Sequence, residues 1–171
     1  MIEKSEKIIF LDIDGVLNSS KTLELSLKNE EPEIMRYLPH PLHLAPLKKI
    51  IDATGAKCVI SSTWRIGCSK SNMFTMLFAS LGFPDIWVID TTPVCSSCRG
   101  DEIQEWLGLR QRMLDNNSQE FCENWNILPI GNFVILDDDS DMLPEQRNNF
   151  VHVHDGLTDE DAEKAINILK S

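Results

Sequence analysis

Residues 8–17, IIFLDIDGVL, constrain this chain more than any other stretch. They begin with four apolar residues in a row, which is typical of a short buried strand. The apolar run ends in two carboxylates two positions apart, Asp12 and Asp14, and Gly15 then permits a sharp turn. Because burying an unpaired charge is costly, carboxylates at this point indicate a site rather than packing.

A D-x-D pair at the end of a strand suits phosphoryl transfer, since ligands of open α/β sheets bind at the carboxyl ends of the strands. Asp12 can attack phosphorus, and Asp14 can protonate the leaving oxygen and later deprotonate water. Alternation along the strand would send both side chains to the same side. The alternatives are a polar turn or a calcium-binding loop. They are disfavoured because a strand precedes the pair and the residues that follow lack the calcium-ligand spacing.

Hydroxyl groups follow a second expected strand at residues 57–60. Ser61 and Ser62, with the N–H groups freed at the strand end, can hold a phosphate oxygen, or they can cap a helix. Beside a D-x-D strand, phosphate binding by Ser61 is favoured. Arg65 can clamp phosphate as a bidentate donor and Trp64 can stack on a base, but both can equally be packing or surface residues.

A run of acids follows the strand expected at residues 133–136, and it consists of Asp137, Asp138, Asp139 and Asp141. Such a run repels itself unless a cation sits among the carboxylates. Oxygen ligands suit Mg²⁺, which also bridges phosphate oxygens. Asp137 is therefore the expected metal ligand, with Asp138 second and Asp141 a weaker candidate. The alternative is an acidic surface loop.

Four sequence blocks occur in order: DIDGVLN at 12–18, ISSTWR at 60–65, RGDEIQEWL at 99–107 and VILDDDSDM at 134–142. Together they resemble the haloacid-dehalogenase (HAD) superfamily of phosphatases. Their wording is most similar to the HAD domain of Swiss Army Knife RNA-repair proteins. The resemblance covers nearly the whole chain. It implies a three-layer α/β/α fold with a mostly parallel five-stranded sheet in the order 5-4-1-2-3, and a small cap or none.

The resemblance also implies Mg²⁺-dependent hydrolysis of a phosphate monoester through an aspartyl phosphate. The substrate would be a nucleotide or a nucleic-acid end phosphate. The expected catalytic residues are Asp12, Asp14, Ser61 and Arg99, and the expected substrate-binding residues are Ser62 and Arg65. The expected metal ligands are Asp12, Asp137 and Asp138, together with Asp14 through its backbone carbonyl. A non-hydrolytic phosphate- or metal-binding regulatory module is the alternative, and the intact D-x-D pair speaks against it.

The assignment of Arg99 has a rival in Arg65. Arg99 stands where a helix is expected to start, and a cation there opposes the helix dipole, so helix stability does not explain it. The HAD pattern places a lysine or arginine at this point, where it neutralises the aspartate and the phosphoryl group. Arg65 follows Ser61 closely enough to reach the same pocket.

Length and charge narrow the range of partners. A chain of 171 residues fits a single domain, 1–171, with a flap or minimal cap at about 18–41. A formal net charge of −11 disfavours an extended nucleic-acid footprint, but not a phosphorylated small molecule or a nucleic-acid end. No stretch is apolar enough for a membrane span. The five cysteines indicate reduced thiols and a cytoplasmic location, and Cys95 and Cys98 lack partners for a zinc site.

Alternating apolar patterns predict the remaining elements. Strands are expected at about 7–13, 57–60, 87–90, 133–136 and 150–153, and helices at 22–28, 42–53, 72–81, 99–107 and 158–169. Residues 109–127 are expected to be helical at first and then irregular, and their role is not readable from the sequence. His40 and His43, with a proline on either side, are interpreted as loop histidines.

Overall fold

The computed structural model describes residues 5–66, 87–95 and 98–171. Within these ranges, five strands and five α-helices occur. The strands are β1 (Glu6–Leu11), β2 (Lys57–Ile60), β3 (Val88–Thr91), β4 (Ile130–Asp137) and β5 (Phe150–His152). The helices are α1 (Ser20–Lys28), α2 (Pro41–Thr54), α3 (Arg99–Asn116), α4 (Gln119–Asn124) and α5 (Asp159–Lys170). The helix expected at 72–81 lies outside the described residues.

The five strands form one parallel sheet in the order β3-β2-β1-β4-β5, which confirms the predicted α/β fold and strand order. β1 is central, with Leu11 opposite Ile60 of β2 and Leu136 of β4. Parallel strands joined by helical crossovers are covered on both faces, which explains why residues 8–11 of β1 are an unbroken apolar run. The carboxyl ends of β1, β2 and β4 therefore meet at one edge of the sheet.

Each face of the sheet carries its own apolar core. On one face, α2 and α5 pack against the side chains of Ile9 and Leu11. On the other face, Ile8 and Phe10 pack against α3, where the Phe10 and Trp106 rings meet edge to face at 5.4 Å. The alternation of side chains along β1 thus produces the three layers of the fold.

α3 extends well beyond the predicted end near Leu107 and runs through Gly108 to Asn116. A glycine inside a helix costs only about 1 kcal/mol relative to alanine, so tertiary contacts can override it. Arg110, in the added half, pairs with Glu6 at 2.5 Å and donates to the carbonyl of Leu128 at 3.2 Å. These contacts fasten the second half of α3 to the start of the sheet.

The segment at residues 18–41, called the flap segment below, contains α1 and a short 3₁₀ helix, Glu33–Tyr37. Ser19 and Thr22 form a capping box at the start of α1. Asp155, after β5, accepts hydrogen bonds from the Ser20 N–H at 2.7 Å and the Ser20 hydroxyl at 2.5 Å. The base of the segment is thereby tied to the sheet. The limits of the domain at 1–171 and of the flap at 18–41 stay predictions.

The interpretation as loop histidines is confirmed for His40, which lies just before α2, and is wrong for His43, which lies within that helix. His40 caps α2, and its Nδ1 accepts a hydrogen bond from the N–H of Leu42 at 3.1 Å. His43 is buried within α2, where its Nε2 lies 2.8 Å from the Ser19 hydroxyl and its Nδ1 lies 3.0 Å from the carbonyl oxygen of Leu157. The nearby prolines start the helix instead of excluding it, because proline fits the first turn.

In the part of the chain that the structure describes, no helix combines the length and the apolar character that crossing a membrane requires.

Candidate active site

The backbone ladder continues past the strand ends and places three polar residues side by side. The Asp12 N–H donates to the Leu136 carbonyl at 3.0 Å, and the Ser61 N–H donates to the Leu11 carbonyl at 2.9 Å. Asp137 is the last residue of β4. The sheet thus brings Asp12, Ser61 and Asp137 to the same edge, as the strand order predicted.

Three carboxylates lie close enough to share one cation. Asp12, Asp137 and Asp138 each offer an oxygen, and these oxygens lie within 4.8 Å of one another. Asp12 and Asp137 are buried, whereas Asp138 is exposed. Among the described residues this is the single group of three or more acidic, histidine or cysteine side chains with such geometry. Oxygen donors of this kind suit a hard cation such as Mg²⁺.

Two of the expected ligand side chains do not join this cluster. Asp141, the weaker candidate, accepts a hydrogen bond from the Arg99 N–H at 2.8 Å and so caps the start of α3. The Asp14 carboxylate is likewise outside the group of three. Its expected metal contact was through the backbone carbonyl, and that contact stays a prediction.

Burial makes the acid cluster unfavourable without a cation. Burial, and next the charge of Asp12, raise the pKa of Asp137 to about 7. Burial also raises the pKa of Asp12, although hydrogen bonds, first that from Ser62, and the charge of Arg99 oppose the shift. The Asp137 Oδ2 atom has no hydrogen-bond partner among the described residues. A buried carboxylate oxygen in this position is a ready metal ligand.

Arg99 faces the same cluster from the first residue of α3. Its Nε is 3.4 Å from Asp137 Oδ2, and one terminal nitrogen is 3.9 Å from Asp12 Oδ1. The other terminal nitrogen is 4.0 Å from a carboxylate oxygen of Glu102. The guanidinium therefore stands beside the carboxylates at distances that leave it able to bind an added anion.

The two serines after β2 have different surroundings. Ser61 is fully buried, and its hydroxyl has no hydrogen-bond partner among the described residues. Ser62 donates to Asp12, which lowers the pKa of that carboxyl. It also accepts from the Trp64 N–H at 3.4 Å. Ser61 is thus available to an added oxygen, whereas Ser62 is occupied with Asp12.

Asp14 lies beyond the end of β1, so strand alternation does not set its direction. Its carboxylate is exposed and accepts hydrogen bonds from Trp64 Nε1 at 2.7 Å and from Asn18 Nδ2 at 2.8 Å. The turn rests on Gly15, whose φ of +72° favours glycine. A Cβ there would also lie 2.2 Å from the Asp138 carboxylate, so only glycine lets the turn approach the acid cluster.

Arg65 is engaged away from the crevice. Its guanidinium is buried and forms an ion pair with Glu102. It also donates to the carbonyls of Ser62 at 2.6 Å, Thr92 at 2.9 Å and Pro93 at 3.2 Å. These contacts point to a structural task, and the substrate-binding role expected for Arg65 stays a prediction without geometric support.

The sequence analysis did not single out Glu102, and it gave Trp64 and Asn18 no role at Asp14. Asn18 follows Asp14 by four residues, a spacing at which side chains of this type bond within a turn, so a local signal existed. Glu102 contacts Arg65, 37 residues away in the sequence, and Trp64 contacts Asp14, 50 residues away. No local sequence pattern predicts contacts over such separations.

The Cys95 and Cys98 pair has no metal partner among the described residues. Cys95 is exposed, and the Cys98 thiol donates to the Asp141 carbonyl at 2.9 Å. Cys98 therefore contributes to the contact between the start of α3 and the loop after β4.

Comparison with known proteins identifies the family. Searches of curated proteins and of solved structures found no match. The family model described as "HAD domain in Swiss Army Knife RNA repair proteins" matches residues 8–162. This match includes every residue of the crevice described above. The chain therefore belongs to the family of HAD domains found in Swiss Army Knife RNA repair proteins.

Proposed function

We propose that this domain is a Mg²⁺-dependent phosphatase that hydrolyses phosphate monoesters through an aspartyl phosphate on Asp12. The family supports phosphatase chemistry in general. The observation that carries the proposal is one crevice that contains a buried carboxylate, a buried hydroxyl without a partner and a guanidinium. These are a nucleophile, a donor to a phosphoryl oxygen and a positive charge, which phosphoryl transfer requires.

The acid cluster fits a magnesium ion. Asp137 and Asp138 would hold it together with Asp12, and the buried Oδ2 of Asp137, which accepts no hydrogen bond from the described residues, supports this assignment. When bound, Mg²⁺ supplies positive charge that draws phosphoryl oxygens to the nucleophile and offsets the charge of the transition state. The raised pKa values of Asp12 and Asp137 have the same cause, which is burial of carboxylates that need a cation.

In the first step, a carboxylate oxygen of Asp12 attacks phosphorus while the bond from phosphorus to the leaving oxygen breaks. Asp14, in its protonated form, gives its proton to that oxygen, and the alcohol departs. Ser61 and Arg99 hold the phosphoryl oxygens during the transfer. Holding these charges in fixed positions contributes most of the catalysis in reactions of this type.

In the second step, Asp14 acts as a base. It takes a proton from a water molecule, whose oxygen attacks the phosphorus of the aspartyl phosphate. The bond between phosphorus and the Asp12 oxygen breaks, which releases phosphate and restores the carboxylate. The hydrogen bonds from Trp64 and Asn18 to Asp14 suit its ionised form, which is the form this step begins with.

We propose a nucleotide or a nucleic-acid end phosphate as the substrate. The family name associates the domain with RNA repair. The net charge of −11 supports a mononucleotide or a strand end over a long duplex, because broad nucleic-acid binding relies on basic residues.

Replacing the nucleophile tests the proposal. Purified protein should release phosphate from p-nitrophenyl phosphate with Mg²⁺, and Asp12→Asn should keep less than about a tenth of that rate, because an amide is a poor nucleophile. Asp52→Asn is the matched control, since Asp52 is exposed and paired with Lys48 on α2. Phosphate binding without release by the wild type would instead favour the regulatory module.

A further inference from the structure

A cavity of about 250 Å³ opens beside Asp14, between the turn after β1 and the flap segment. Its walls include Asp14, Asn18, Arg36, Tyr37 and Asp155. Of the groups proposed to surround the phosphoryl group, Asp14 alone is among the described residues that line this cavity. The cavity is therefore separate from the acid cluster, and the proposed proton donor Asp14 forms part of its wall.

The proposed role of Asp14 as proton donor indicates where the leaving group would lie. A proton donor must lie within hydrogen-bond reach of the oxygen that departs. The phosphoryl group would be held on the side of Asp12, Ser61 and Arg99, so the rest of the substrate has to leave past Asp14. The cavity is the space that Asp14 borders on the side of the flap segment.

Asn18 joins the proton donor to the far wall of the cavity. Its Nδ2 donates to Asp14 Oδ1 at 2.8 Å and to the Tyr37 carbonyl at 2.9 Å. Its Oδ1 accepts from the Gly15 N–H at 2.9 Å. One side-chain amide thus connects the Asp14 carboxylate to the backbone of Tyr37.

The wall at residues 36 and 37 offers two flat surfaces. The side chain of Tyr37 is half exposed at the cavity. Arg36 is held by a hydrogen bond from its Nε to the Glu31 carbonyl at 2.8 Å. Aromatic rings and guanidinium planes are the groups on which unpaired bases stack.

The charged residues that line the cavity limit whether the leaving group can carry additional phosphate groups. The hydrogen bonds from the Ser20 hydroxyl and N–H lower the pKa of Asp155, so this carboxylate remains ionised. Among the described residues that line the cavity, Asp14 and Asp155 provide two carboxylates and Arg36 provides the single cation. A second phosphate on the leaving group would meet net repulsion. The volume of about 250 Å³ also lies below that of most ligand pockets.

We propose that this cavity binds the leaving group and that the leaving group is a single nucleoside without a second phosphate. This inference rests on the proposed phosphatase function and makes it more specific. Tyr37 and Arg36 select the base, and Asp155 disfavours further phosphates. Nucleoside monophosphates are then better substrates than nucleoside bisphosphates or the ends of oligonucleotides, whose leaving groups carry additional phosphates.

Steady-state kinetics on a matched substrate set tests this selection. The set contains adenosine 3′- and 5′-monophosphate, adenosine 3′,5′-bisphosphate, an oligonucleotide 5-mer with a terminal phosphate, ribose 5-phosphate and p-nitrophenyl phosphate. For the better adenosine monophosphate, kcat/KM should exceed the values for the bisphosphate and for ribose 5-phosphate at least tenfold. A bisphosphate or a 5-mer with a terminal phosphate that reacts as well as the monophosphate would overturn the inference.

Substitutions of residues that line the cavity distinguish specific recognition of the base from a general effect on substrate binding. Tyr37→Ala should raise KM about tenfold for the adenosine monophosphate and less than twofold for ribose 5-phosphate, and Tyr37→Phe should restore the wild-type ratio. Asp155→Asn should narrow the gap between monophosphate and bisphosphate. Trp125→Ala is the control, because Trp125 is an exposed aromatic residue that does not line the cavity.

The outcomes for the function and for the cavity are distinguishable. Release of phosphate from p-nitrophenyl phosphate, lost in Asp12→Asn, supports the phosphatase whatever the other substrates show. Equal effects of Tyr37→Ala on the adenosine monophosphate and on ribose 5-phosphate would overturn the assignment of the cavity alone. No release from any substrate would overturn the phosphatase and the leaving-group site together.

Discussion

The guanidinium of Arg99 lies beside two buried carboxylates, 3.4 Å from one and 3.9 Å from the other. A positive charge at this position balances Asp12 and Asp137 in the resting protein. In the proposed mechanism, the same charge would balance a phosphoryl group that carries developing charge. Electrostatic stabilisation of this kind, from a group already in position, is usually the largest single contribution to catalysis.

Replacing Arg99 should therefore affect the chemical step. We expect Arg99→Ala to lower kcat by about a hundredfold or more, as loss of a charge-stabilising donor does. Arg99→Lys should recover part of the loss, because it restores charge without the planar geometry. Arg112→Ala is a control, since Arg112 forms an exposed pair with Glu105 on the same helix. A change confined to KM would assign Arg99 to substrate binding instead.

At the scale of single residues, the sequence predicts those functional residues that are recognisable from their immediate neighbours in the chain. Asp12 and Asp137 follow apolar runs, and a charge directly after a buried strand is visible without a structure. Arg65 shows the limit of that reasoning. Its position after Ser61 indicated the crevice, but the direction of its side chain depends on Glu102, a residue on another element.

At the scale of elements, the buried pair of Arg65 and Glu102 joins three parts of the fold. Arg65 lies after β2, Glu102 lies in the first turn of α3, and the carbonyls of Thr92 and Pro93 belong to the loop after β3. The backbone N–H of Cys95 donates to the same Glu102 carboxylate at 3.3 Å. These contacts hold the start of α3, and with it Arg99, against the sheet edge.

Breaking this pair should destabilise the fold. Removing one partner of a buried ion pair leaves the other charge unpaired and typically costs about 3–5 kcal/mol. We expect Glu102→Gln to lower the free energy of unfolding by about 3 kcal/mol in urea titrations. Glu105→Gln, which loses an exposed pair, should change it by less than about 1 kcal/mol. If both substitutions had equally small effects on the free energy of unfolding, the buried pair would contribute little to stability.

Element boundaries were harder to predict than element types. The strand order follows from alternating strands and helices together with the family resemblance, and the structure has it. The sequence analysis divided α3 near Leu107, whereas the structure has one helix to Asn116, and the contacts of Arg110 with Glu6 and Leu128 that hold its second half are not local. His43 was misread for a similar reason, since its burial depends on Ser19 and on Leu157 after β5.

At the scale of the whole molecule, the acid cluster links cation binding to stability. A cation that binds the folded state and not the unfolded chain stabilises the protein by mass action. We expect millimolar Mg²⁺ to raise the Tm of the wild type, and Asp137→Ala to lose this increase. Asp139→Ala is the control, because Asp139 is exposed and is not in the group of three carboxylates. An equal rise in Tm for Asp137→Ala would place the cation elsewhere.

The same cluster should give the metal-free protein an unusual dependence of stability on pH. The pKa of Asp137 rises from 3.8 to about 7 in the folded state, so between these values the folded protein holds a proton that the unfolded chain has lost. The free energy of unfolding should therefore fall as pH rises through this window. The contribution of Asp137 to the free energy of unfolding is largest below pH 3.8, and it is lost completely above about pH 7.

The size of this effect has an upper limit, and one variant isolates it. The shift corresponds to at most about 4 kcal/mol at roughly 1.4 kcal/mol per pKa unit. Urea titrations in EDTA should show that Asp137→Asn gains stability relative to the wild type as pH rises from 5 to 8, because an amide does not ionise. A difference that is constant across this range would mean that Asp137 ionises in the folded protein as easily as in the unfolded chain. Burial would then not disfavour the ionised form of the acid cluster, and no cation would be required to offset such an effect.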